Sequence, residues 1–152
     1  VSGFLPEEPV PLGGEPTFLR LGALIPMDVQ RNYTGHGTRE SAGSLTMLVY
    51  PSGTSTFRYY EDSTATWITF TSALSGVRLT LSANPAPVLP VLYRVARFNS
   101  PPTSVGVDGT TVTVNQGGAV PEVLSEREVN GSKTNAWFYD AEARRLIVKV
   151  LR

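Results

Sequence analysis

The sequence predicts an all-β protein: an antiparallel β-sandwich of about eight to ten short strands, preceded by a strand pair from a neighbouring β domain. Three observations point there. Apolar residues alternate with polar ones in run after run, instead of recurring every three or four positions. Fourteen glycines and twelve prolines punctuate the 152 residues at short intervals, as turns between strands do. No apolar pattern of helical period runs far enough to make a framework helix. A barrel is the second choice.

Taken in order, Val1–Pro16 is rich in Pro, Gly and Glu and reads as an extended crossing segment. Thr17–Met27 is a dense apolar run closed by Pro26, and Asp28–Gly43 is polar and glycine-bearing, like a linker. Structureless connections of that length are uncommon inside one compact domain. The expected division is therefore 1–30 as the end of a neighbouring β domain, 31–44 as a linker and 45–152 as the sandwich. On that division, removing residues 1–30 costs little stability. The start at Val1, without an initiator methionine or the layout of a signal peptide, reads as the edge of a longer polypeptide.

Leu45–Tyr50 is the clearest strand, closed by Pro51-Ser52-Gly53. Thr56–Tyr60 reads as the return arm of a hairpin, with Phe57 and Tyr59 on one face and Arg58 and Tyr60 on the other. Trp67–Phe70 and Val77–Leu81 follow. Leu89–Phe98 is longer; its Arg94 and Arg97 fall on opposite faces of a strand, so part of it must meet solvent or a partner. Val105–Val107 and Thr111–Val114 flank Asp108-Gly109, which suits the positive φ of a tight turn. Ala136–Tyr139 and Arg145–Val150 flank Asp140–Ala143 in a last strand-turn-strand. Only Glu122–Val129 and Ala141–Arg145 could hold a helical turn. Alternation assigns Leu45, Met47, Val49, Leu79, Leu81, Val112, Val114, Leu146, Val148 and Val150 to the core.

Thirteen basic and thirteen acidic side chains cancel. The eleven arginines and two lysines are scattered, so neither a nucleic acid nor an anionic membrane finds a basic footprint. Cysteine is absent, which excludes disulfides and thiolate metal sites. No run reaches the roughly twenty apolar residues of a membrane helix. Asn32-Tyr33-Thr34 and Asn130-Gly131-Ser132 match the glycosylation triplet, a pattern common by chance.

Two segments together resemble a known family. Glu15-Pro16-Thr17-Phe18-Leu19-Arg20-Leu21-Gly22-Ala23-Leu24-Ile25-Pro26-Met27 is similar to the stretch closing the proximal C-terminal β domain of glycoside hydrolase family 31. Leu45–Asp62 resembles the opening of that family's distal C-terminal domain. Val105–Gly109, Trp137–Asp140 and Arg145–Val150 match later strands more loosely. Serial order, rather than any one motif, carries the resemblance. Where family members have a second acidic residue and a glycine after the Glu-Asp pair, this sequence has Ser63-Thr64, so the turn there must differ. The resemblance implies that the parent polypeptide is a retaining hydrolase of α-linked sugars, such as an α-glucosidase or α-xylosidase, set outside the cytoplasm. Its catalytic aspartates would sit on an upstream (β/α)8 barrel. That barrel and the proximal β domain are the implied partners, with an oligo- or polysaccharide as a further one. No catalytic residue carries over to this chain, which by itself is expected to be no enzyme and to take no cofactor or metal.

The remaining candidates are weighed from the residues. Glu61-Asp62 is the one carboxylate pair beside aromatics. Retaining hydrolysis needs two carboxyl groups about 5–5.5 Å apart, and neighbours on a strand point to opposite faces. A turn or salt-bridge role is the better reading. Asp62 lacks the oxygen-rich loop that calcium requires. His36, the only histidine, stands between glycines with no second ligand or orienting base in view. Gly13-Gly14 and Gly117-Gly118 lack the phosphate-loop pattern. Two aromatic clusters stand out, Tyr59, Tyr60, Trp67 and Phe70, and Trp137, Phe138 and Tyr139. Alternation sends some rings of each inward, as core or inter-domain contacts. Tyr60 and Trp67 are the candidates for stacking on a sugar. Three roles follow: structural packing against the parent enzyme, carbohydrate binding, or a stand-alone adhesion domain.

Overall fold

The computed structural model describes residues 19–27, 43–61 and 64–151. They form two five-stranded sheets packed face to face. The first has the order β1-β2-β6-β10-β9: β1 is Leu24–Met27, β2 Leu45–Val49, β6 Val91–Val95, β9 Ala136–Asp140 and β10 Arg145–Val150. The second has the order β3-β4-β5-β8-β7: β3 is Thr54–Glu61, β4 Thr66–Ser75, β5 Arg78–Asn84, β7 Val105–Asp108 and β8 Thr111–Val114. Among the named strands of the described residues, β2 and β6 run parallel and the other pairs are antiparallel; an isolated parallel bridge joins Glu122 to Trp137. The fold is the expected all-β sandwich.

Alternation selects the core. All ten residues assigned to it are buried, and they join Phe70, Ile68, Tyr93 and Trp137 in one cluster between the sheets. Side chains at every second position face inward, so one strand's apolar set meets the other sheet's. The Asp108-Gly109 turn joins β7 to β8 as expected, with Gly109 at φ 55. Gly118 is needed for a different reason. A Cβ there would lie 2.3 Å from the Gly106 Cα, so two backbones touch where side chains would hold them apart.

Four expectations need correction. Leu45–Tyr50 and Thr56–Tyr60 are not a hairpin, because β2 and β3 lie in different sheets. Both edges of β2 are taken, one by β1 and the other by β6, so the chain turns through Gly53 to the second sheet. The strand holding Arg94 stops at Val95, and Arg97 stands exposed in a turn at φ 56. Residues 141–144 form the turn of the expected last strand-turn-strand, with the Ala143 N–H donating to Asp140 Oδ1, and do not take the helical turn they could hold. The helical turn expected within Glu122–Val129 exists, shifted to α1, Glu126–Gly131.

The fourth concerns the strand pair expected from a neighbouring domain. Among the described residues that stretch holds one strand, β1, and it is built into the sandwich. It pairs with β2 from Leu24↔Val49 to Met27↔Thr46, and Leu24 is buried in the main core. The apolar run has a ready partner in the edge of β2, which would otherwise present unpaired amides.

Helix α1 covers the outer face of the first sheet. Val129 packs on Leu92 and Ile147, flanked by Val123 and Phe138. Ser125 caps its start, accepting from the Glu128 N–H, while the Glu128 carboxylate accepts from the N–H of Leu124, one residue before the cap, a variant of the capping box. Asn130 has its side chain buried near the end of this helix, so that glycosylation triplet is not presented to solvent. Asn32, His36, Asp62 and Gly13-Gly14 lie outside the described residues.

Candidate functional site

The site begins with the β3–β4 pairing, which sets Tyr60 directly across from Trp67 and Arg58 across from Thr69. Burial alternates along β3, with Phe57, Tyr59 and Glu61 turned toward the core side and Arg58 and Tyr60 toward solvent. The assignment of faces made from the sequence is therefore observed. Tyr60 and Trp67 remain 43% and 53% exposed, far from the burial that rings of this size usually seek. Their centroids are 5.1 Å apart at 55°, and the Arg58 guanidinium carbon lies 4.8 Å from the Trp67 ring centre. A cation at that distance is attracted by the ring face and steadies it. Across the sheet, Thr69 pairs with Asn84 of β5, so Arg58, Thr69 and Asn84 form a polar row beside the two rings.

Sequence reasoning placed Arg58 on the face of Tyr60 without including it in the site. The missing signal was register: which residue of β4 lies opposite Tyr60 depends on the turn between the strands, and local alternation does not give it.

Glu61 is turned inward at 9% exposure. Its carboxylate accepts the Val88 N–H at 3.1 and 3.3 Å and the Thr64 hydroxyl at 3.3 Å. These contacts join the end of β3 to the segment leading into β6. Among the described residues no three His, Cys, Asp or Glu side chains gather as metal ligands, and no helix is long and apolar enough to cross a membrane.

The second aromatic cluster is absorbed by packing. Trp137 is in the core and donates its indole N–H to the Val120 carbonyl at 2.9 Å; the Tyr139 hydroxyl donates to the Phe98 carbonyl at 2.7 Å. Phe138 faces the other way, against the cluster beneath α1. Tyr59 and Phe70 meet edge to face within the sandwich, at 6.5 Å. Of the aromatics singled out from the sequence, Tyr60 and Trp67 alone carry broad exposure.

No protein-family model matches the chain. It is 26% identical over 139 residues to an isomaltosyltransferase of Sporosarcina globispora, covering 89% of this chain and 12% of that protein. A cycloalternan-forming enzyme from Listeria monocytogenes, solved with a pentasaccharide substrate, superposes with a TM-score of 0.64 at 25% identity, over 86% of this chain and 12% of its own. A GH31 dextranase from Flavobacterium johnsoniae, complexed with glucose, superposes with a TM-score of 0.62 over 92% and 19%. The chain resembles a β region of glycoside hydrolase family 31 enzymes. At 15% identity the likeness to the dextranase is one of fold; the isomaltosyltransferase and the cycloalternan-forming enzyme add likeness in sequence. The chain spans about an eighth to a fifth of the length of these enzymes.

Proposed function

We propose that this chain is the non-catalytic C-terminal β region of a retaining α-glycoside hydrolase, packing against an upstream catalytic barrel and a proximal β domain of the same polypeptide. One observation carries the reading: nearly the whole chain superposes on carbohydrate-active enzymes while occupying 12–19% of their length. A domain-sized share of such an enzyme is conserved here as fold. The commitment of the Glu61 carboxylate to Val88 and Thr64 supports it, since that group is held as part of the frame. Exposure of Tyr60 and Trp67 favours a second reading, in which the same region also contacts carbohydrate.

The test is activity of the purified 152-residue chain on aryl α-glucosides and α-xylosides. The expected result is no turnover above buffer. Turnover that persists through purification and disappears in Glu61→Gln overturns the non-catalytic reading. A coding sequence upstream of Val1 that lacks a barrel with catalytic aspartates overturns the assignment of a parent enzyme.

A further inference from the structure

We infer that the outer face of β3, β4 and β5 is a docking site for a neutral oligosaccharide, with one pyranose stacked on Trp67 and Tyr60 and its neighbours' hydroxyls received by the row Arg58, Thr69 and Asn84. The inference deepens the reading above, from which it takes α-linked glucans as the probes.

Three properties of the face select this occupant. The two exposed rings are held by cross-strand pairing and by Arg58, so little ordering remains to be done when a ligand arrives. The polar row lies on the same face and spans two strand spacings, about 10 Å. Among the described residues neither Thr69 nor Asn84 has its side chain hydrogen-bonded to another protein group, leaving donors and acceptors beside the rings.

Charge decides against the alternatives. The outward positions of β3, β4 and β5 carry no carboxylate, and the only cations are Arg58 and, at the opposite end of β5, Arg78. A polyanion needs a cluster of cations. A protein partner seals the core of its contact from water, whereas the outward neighbours of the two rings on β3 and β4 are Arg58 and Thr69, followed by Thr56 and Thr71. An uncharged, polyhydroxylated chain with apolar ring faces fits both halves.

The experiment uses the two tryptophans. Trp137 is 5% exposed and Trp67 53%, so quenching by acrylamide reports chiefly on Trp67. The 152-residue chain is titrated with maltoheptaose and isomaltoheptaose, following quenching and the indole N–H resonances. At least one sugar is expected to protect Trp67 and shift its indole signal while the Trp137 signal stays put. Trp67→Ala should abolish binding, and Tyr60→Ala should weaken it about tenfold, the loss of one stacking face. Thr69→Val and Asn84→Ala should weaken it severalfold. These side chains lie on the surface, so the thermal transition should hold in each variant.

No protection by either sugar at about 50 mM, beyond the weakest useful affinity, overturns the proposal. So does binding unchanged in Trp67→Ala. A steep fall with salt overturns it in favour of an anionic ligand on Arg58. Trp67-dependent self-association that sugars do not compete with overturns it in favour of a second copy of the chain. None of these results bears on the non-catalytic reading, which falls only on turnover or on the upstream coding sequence.

Discussion

The Lys149 ammonium, rising from β10, donates to the Asn130 carbonyl at 2.6 Å and to the Ser132 carbonyl at 2.9 Å. A sheet cation thereby closes the C-terminal end of α1, where carbonyls have no partner within the helix. Arg94 of β6 does the converse at the other end, pairing with Glu126 in the first turn. The helix is thus fixed to the sheet by a cation near each terminus, with the Val129 contact between them.

Lys149→Met keeps the apolar stem and removes the donor. We expect a loss of about 1–3 kcal/mol, the cost of leaving buried carbonyls unpaired. Burial, and then the charge of Lys133, lower the Lys149 pKa from its ordinary 10.5. Between the folded value and 10.5 the unfolded chain therefore binds more protons, and stability gains from this group as pH rises. Urea melts at neutral pH and near pH 10 should show the gap between wild type and Lys149→Met widening on the alkaline side. A gap that narrows would refute the assignment.

At the other end, Arg94 has a nearly buried guanidinium, whereas Glu126 is a quarter exposed and also lies 3.5 Å from Arg145. Glu126→Ala strands a buried cation, for which about 2 kcal/mol is expected, below the full cost of breaking a buried pair because water reaches the site. Arg94→Met combined with Glu126→Met should recover most of that loss, since it leaves no charge to be satisfied. A double-mutant cycle on chemical denaturation measures the coupling.

Much of the fold is written in local alternation. Leu79-Thr80-Leu81 and Val112-Thr113-Val114 could bury one face only, and they do. What alternation does not carry is the partner of each strand. Leu45–Val49 pairs in parallel with β6, more than forty residues along the chain, and nothing near Leu45 announces it. The same limit hid Arg94: its polarity suggested solvent, but its partner Glu126 belongs to a helix thirty-two residues away. At the candidate site, the outward direction of Tyr60 was legible from its neighbours. The stacking of Tyr60 with Trp67, and the place of Arg58 over the indole, depended on register.

Tyr93 lies at the centre of the core, 1% exposed, with its ring edge-on to Phe70. Its hydroxyl has no protein partner among the described residues. Tyr93→Phe keeps the ring and removes the unpaired donor, so a gain of about 1 kcal/mol is expected. Burial also pushes the phenol pKa above its ordinary 10.0. Above pH 10 the unfolded chain releases this proton while the folded chain keeps it, so the wild type loses stability as pH climbs and Tyr93→Phe does not. Thermal melts at pH 7 and pH 11 test both parts. A loss of more than about 1 kcal/mol at pH 7 would show that the hydroxyl is satisfied by bound water.

The last prediction concerns β1 and the boundary drawn from the sequence near residues 31–44. We propose that residues 45–152 are the folding unit and that β1 is an added edge strand. Nine of the ten described strands lie in 45–152, including every strand of the second sheet. Those nine should keep a cooperative transition when residues 1–30 are deleted. The deletion is not free, however, because Leu24 is 6% exposed within the core and the outer edge of β2 is hydrogen-bonded to β1. Losing the burial of Leu24 and its neighbours should cost about 2–4 kcal/mol. The bared edge of β2 should then pair between copies, so sedimentation of the truncated chain should show association that rises with concentration. A truncated chain that fails to fold would make the protein a single domain from its first strand. A truncated chain as stable as the full one would mean that β1 adds nothing to the sandwich it edges.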